Sequence, residues 1–147
     1  MLSAVTRRSR SFGVLAVIVA AGALLTACNP QLENQNFAAV NALRARVGAR
    51  QLVRVGELNT KAQIQADRMA NAGKIFHSAN LAAGVSRGWR LIGENVAVAG
   101  SVQAAEAALE KSAPHYANLT NRSFSQMGVG VTVKSGRVYL VQVFVAR

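Results

Sequence analysis

The chain of 147 residues has one cysteine, Cys28, and two histidines, with six acidic residues against seventeen lysines and arginines. A lone cysteine excludes an internal disulfide. Aromatic residues make up 5% of the chain, too few for the stacking platforms that single-stranded nucleic acid needs. The basic residues are scattered, and only "RARVGARQLVR" approaches a cluster. Nucleic acid is therefore not an expected partner. There is no internal repeat and no low-complexity tract. The one long apolar run, Phe12 to Leu25, falls short of the roughly 20 residues that span a bilayer.

That run follows Arg7, Arg8 and Arg10 and is followed by small residues, which is the three-part layout of a secretory signal. Leu25 spoils an ordinary cut after Ala27, because small residues are preferred at both flanking positions. Leu25, Thr26, Ala27 and Cys28 instead resemble a bacterial lipobox, whose cysteine is diacylated and becomes the mature N-terminus. The expectation is a lipoprotein signal peptide over 1–27, a short polar tether over 28–33 and one folded domain over 34–147. Cys28 is the predicted lipid attachment, with the extracytoplasmic face of the cell membrane as location and partner. Without the three arginines of the signal, 14 basic residues face 6 acidic ones, a charge of +8. An exported chain with that balance meets anionic phospholipid and phosphate-rich wall polymers.

Phe37, Val40, Leu43 and Val47 recur at three- and four-residue spacing and predict a helix ended by Gly48, with Asn41, Arg44 and Arg46 off the apolar face. Ala62, Ala66, Met69 and Ala70 mark a second helix, about Asn59 to Asn71, with Gly73 placed to terminate it. Arg90 to Gly93 reads as an extended segment feeding a turn. Ser101 is placed to cap a third helix, Val102 to Lys111, and Pro114 to stop it. His77 and His115 would then each sit just after a helix. The last third alternates in period two around "KSGR", which predicts a hairpin turning at Ser135-Gly136. Helices before a hairpin indicate an α+β class with a layered core.

Among the acids, Glu94 stands apart, in the apolar stretch "LIGENVAVAG". A carboxylate withdrawn from water requires cations, hydrogen-bond donors or a metal beside it. His77, His115 and Glu94 are chemically what a Zn²⁺-like site requires, and also what a general acid/base pair needs. Their spacing is too wide for a local metal motif.

Taken in order, "FHS" after "MANAG", then "GENVA", "SAPHYANL", "MGVGV" and "YLVQVF" resemble the signature blocks of the CAP superfamily, the SCP domain of cysteine-rich secretory, antigen 5 and pathogenesis-related proteins. The resemblance runs from about Asn34 to Phe144. It implies an α-β-α sandwich with a central antiparallel sheet between helical layers, and a cleft where His77, His115 and Glu94 converge. Ser78, Asn95 and Glu110 are its expected supporting residues. The resemblance also implies a divalent cation, Zn²⁺ or another, at the two histidines. Glu94 is then a cleft acid, or the general base of a metal-dependent hydrolase. The family's second acid has no clear match, since Glu106 and Glu110 are near but not in the expected setting. A module binding a lipid, wall polymer or peptide ligand therefore ranks ahead of a purely structural envelope protein and of a peptidase-like hydrolase.

Overall fold

The computed structural model describes residues 29–147. The predicted signal segment and Cys28 lie outside the described residues. The elements, in chain order, are helix α1 (Pro30–Arg46), strand β1 (Val53–Arg54), helix α2 (Gly56–Ala72), strand β2 (Leu91–Ala99), helices α3 (Val102–Lys111) and α4 (Ala113–Thr120), and strands β3 (Gln126–Lys134) and β4 (Arg137–Ala146). No helix among the described residues is long and apolar enough to cross a membrane.

The four strands form one sheet in the order β1-β3-β4-β2. The β3-β4 hairpin and the β4-β2 pair are antiparallel, and β1 adds a two-residue parallel pairing at Val53 and Arg54. The hairpin turns where the spacing predicts, with φ of 51° at Ser135 and 71° at Gly136. Two consecutive positive φ values match the right-handed twist of the flanking strands.

Alternation along β4 decides the layers. Val138, Leu140, Phe144 and Ala146 pack with Val40, Leu43, Ala105, Leu109 and Leu119 from α1, α3 and α4. Tyr139, Val141, Val143 and Val145 pack with Leu58, Ala62, Ala66, Met69 and Ala70 of α2. The result is a sandwich with α2 alone on one face of the sheet and three helices on the other. Each large side chain so buried contributes about 1.5–3 kcal/mol.

On the α2 face, Gly128 and Gly130 of β3 lie under the helix backbone. A Cβ added at either would come within 2.1–2.5 Å of main-chain atoms of Leu58, Asn59, Ala62 or Gln63. Close approach lets α2 cap the stretch of β3 that the short β1 leaves unpaired. Asn59 Oδ1 accepts from Val129 N and Gln63 Oε1 from Val131 N, both at 3.0 Å.

Three expectations are corrected. First, α1 begins at Pro30, so residues 30–33 of the expected tether are helical. Proline suits a first helical turn, where its missing N–H has no partner to lose. Second, Arg44 is fully buried. Its guanidinium donates to the carbonyls of Arg50, Leu119, Asn121 and Phe124 at 2.7–3.4 Å, so it ties α1 to the loop after α4. Third, Glu94 lies within β2, paired opposite Val143, and not in the turn expected to follow Gly93. Nine consecutive partners on β4 override the breaking tendency of Gly93, where a Cβ would stand 2.9 Å from the Phe124 ring.

Candidate functional site

The site forms along edge strand β2, because successive β2 side chains point to opposite faces. Gly73, with φ of 64°, ends α2 in the left-handed conformation. The chain then turns back so that His77 and Ser78 reach Glu94 from the α2 side. His77 Nδ1 lies 2.8 Å from Glu94 Oε1, Ser78 N donates to the same oxygen at 2.9 Å, and Ser78 Oγ lies 2.5 Å from Oε2. The Glu94 side chain is 2% exposed, whereas His77 is 58% exposed. Lys61 of α2 adds a nearby positive charge. Its own pKa is lowered chiefly by burial, and the attraction of Glu94 works against that shift. Its ammonium also pins the loop by donating to the Asn80 and Ala83 carbonyls.

His115 arrives from the other face. It does not follow a helix end as expected, but sits in the first turn of α4, since Ser112 ends α3 and caps α4 and Pro114 occupies the opening turn. His115 Nδ1 is 2.7 Å from Ser112 Oγ. Burial lowers the His115 pKa, and the charge of His77 lowers it further.

Asn95, the next residue on β2, is fully buried and binds the cluster to the core. Its amide donates to the His115 carbonyl and to Gln142 Oε1, each at 3.1 Å, while Asn118 donates to its oxygen at 2.9 Å. Gln142 continues inward to Glu106 Oε2 at 2.6 Å, which also accepts from Asn36 at 2.7 Å. Glu106 Oε1 is buried without a partner. Burial raises the Glu106 pKa, only partly offset by the Asn36 and Gln142 hydrogen bonds.

The structure thus brings together His77, Ser78, Glu94, Asn95 and His115. Glu110 is not among them, because it faces Arg46 of α1 at 3.8 Å. Ser112 and Asn118 were missed, although "SAPHYANL" places Ser112, His115 and Asn118 three residues apart, on one helical side. Glu106 was missed as a core acid, although it falls in the stripe of Val102, Ala105 and Leu109.

Each imidazole engages Nδ1 with a protein partner, which leaves Nε2 as its ring atom for a ligand. Among the described residues, no cluster of three histidine, cysteine or acidic side chains exists that could hold a metal. The site lacks the four protein ligands of a structural zinc site.

The fold has solved relatives. An extracellular protein containing an SCP domain from Bacillus anthracis superposes with a TM-score of 0.68 at 24% identity, over 80% of this chain and 41% of the other. This chain therefore spans about two fifths of that protein. An outer surface protein from Borrelia burgdorferi gives a TM-score of 0.71 at 16% identity, over 80% of this chain and 93% of the other. The protein NaASP2, solved with Zn²⁺, gives 0.59 at 15% identity, over 80% of this chain and 83% of the other. No curated protein sequence matches. The sequence profile of the CAP group, the cysteine-rich secretory protein family, matches residues 37–145. With the sandwich and its histidine-glutamate edge in place, that match makes this chain a member of the CAP family.

Proposed function

We propose that this chain is an exported CAP-domain binding protein, tethered by an acylated Cys28 to the extracytoplasmic face of the cell membrane. Its ligand is a small molecule or a cell-envelope component, taken at the His77/His115 edge through a divalent cation. One observation carries the binding reading. Both imidazoles have Nδ1 held by a neighbour, and the exposed His77 offers its second nitrogen to solvent. Glu94 and Ser112 orient the rings, as hydrogen-bonded partners orient metal-binding histidines. The bound cation would supply a Lewis-acidic point for an anionic or carbonyl group. Export is supported by the signal-like N-terminus and by relatives described as extracellular or outer-surface proteins.

The same geometry weighs against hydrolysis. A general base needs a lone pair facing a substrate or water. Glu94 is 2% exposed and already accepts from three donors, so its role is to position His77.

The test is a titration with Zn²⁺ alone, followed by thermal unfolding and by imidazole NMR. Zn²⁺ is expected to raise the Tm and to perturb both Nε2 resonances. His77→Ala and His115→Ala should each abolish both effects. If the wild-type protein shows neither, the metal reading fails and the cluster is a hydrogen-bonded strut. In cells, Cys28→Ser should remove incorporated lipid and release the protein from the membrane fraction, and retention there would refute the anchor.

A further inference from the structure

A second pocket lies away from the histidine edge, at the end of the sheet where β2 begins and β4 ends. Its volume is about 660 Å³, which lies in the range of small-ligand sites. Arg50, Arg90, Arg122 and Arg147 line it, together with no acidic side chain. These four come from four separate stretches of sequence, so only the fold assembles them.

The cluster is not internally neutralised. Arg147 pairs with Glu57 at 2.7 Å. Arg122 donates to the carbonyls of Val47 and Gly48 at the C-terminal end of α1, and Arg90 donates to the main-chain oxygen of Arg147. Arg50 donates no side-chain hydrogen bond among the described residues. None of Arg50, Arg90 and Arg122 has a side-chain carboxylate partner among the described residues, and residues 1–28 contain no acid that might supply one. Behind the wall stands Arg44, fully buried and bonded only to carbonyls. Burial first, then repulsion from Arg50 and Arg122, lowers its pKa. Four arginines around one pocket against the single carboxylate of Glu57 leave a net positive potential there that favours an anion.

We propose that this arginine pocket binds a phosphate ester carried on a polar body such as a sugar or polyol. Guanidinium forks match tetrahedral phosphate oxygens two at a time, and a doubly charged group answers several unpaired arginines better than a single carboxylate does. Leu91 and Ala146 are the only apolar residues in the lining, too little surface for an acyl chain. The assignment depends neither on a membrane anchor nor on the histidines.

The experiment is calorimetric titration of the protein with glycerol 3-phosphate at low salt. Parallel arms use glycerol, inorganic phosphate, and phosphatidylcholine vesicles with and without phosphatidylglycerol. Glycerol 3-phosphate should bind, glycerol should not, and added salt should weaken binding. Arg50→Gln/Arg90→Gln should weaken it at least tenfold. Lys134→Gln/Arg137→Gln, which removes the same charge from the hairpin at the opposite end of the sheet, should stay within twofold of wild type. Should the first pair fail to fold, Arg50→Gln alone removes a side chain without hydrogen bonds and should still weaken binding severalfold. Equal affinity in wild type and the pocket variants overturns the proposal, as does equal weakening in the hairpin variant. Binding confined to phosphatidylglycerol vesicles, or to inorganic phosphate without the ester, overturns the assigned ligand class.

Discussion

Replacing Gly128 or Gly130 by alanine tests whether α2 is seated by backbone-to-backbone contact. At Gly128 the new methyl would lie 2.1 Å from Leu58 C and 2.3 Å from Asn59 N; at Gly130 it would lie 2.3 Å from both Ala62 C and Gln63 N. Ordinary contact begins near 3.4 Å, so the helix must retreat by about 1 Å. Neither side of the contact is a side chain that can rotate away. Overpacking of this kind costs about 1–3 kcal/mol. Retreat also stretches the bonds from Val129 N to Asn59 and from Val131 N to Gln63, each worth about 1 kcal/mol. The expected loss is therefore about 3 kcal/mol per variant. At roughly 3–5 °C per kcal/mol for a domain of this size, the Tm should fall by about 10 °C. The double variant should cost less than the sum, because one retreat of the helix relieves both clashes. Urea unfolding with an unchanged m-value is the assay. Gly100→Ala is the control, since a Cβ there meets nothing within 4 Å, and it should stay within about 0.5 kcal/mol of wild type. If either β3 variant matches that control, the close-contact argument is wrong.

Two further outcomes concern titrating groups. Because folding lowers the pKa of His115, the unfolded chain takes up that proton first on acidification. His115 therefore costs stability as pH falls below about 6.5, its unfolded value, until the folded ring is also protonated. NMR should place its midpoint below 6.5, and His77→Ala should move it upward; a midpoint unmoved by that substitution would contradict their electrostatic contact. Glu106 is shifted the other way, so the folded state holds its proton longer and stability is lost as pH rises from the unfolded pKa, near 4.5, to the raised folded value. Glu106→Gln should remove that loss and gain about 1 kcal/mol at pH 7, with the difference from wild type vanishing near pH 4. A variant less stable than wild type at both pH values would show that Glu106 is held as a paired anion.

Much of the fold was legible because its signals are local. The stripe at Ala62, Ala66, Met69 and Ala70, the Ser101 cap, the left-handed Gly73 and the Ser135-Gly136 turn each depend on residues within a few positions. The misreadings had long-range causes. Arg44 looks like a surface residue until four carbonyls, from the loop after α1, the last turn of α4 and the loop after α4, converge on it. Gly93 reads as a breaker until β4 supplies a ladder. Glu110 and Glu106 stand one helical turn apart on α3, and only the rotation of that helix against α1 and the sheet sends one to Arg46 and the other into the core.

By itself the sequence determined the first three helices, the β3-β4 hairpin, the layered class, the CAP resemblance and the three chemically distinctive residues His77, Glu94 and His115. Periodicity and residue chemistry carry that much, since they act through neighbours along the chain. The tertiary structure decided which side chains meet: Ser112 with His115, Glu106 with Asn36 and Gln142, and four arginines around one pocket. Those contacts are set by sheet register and helix rotation, and a one-residue change in either would send the same side chains to different neighbours.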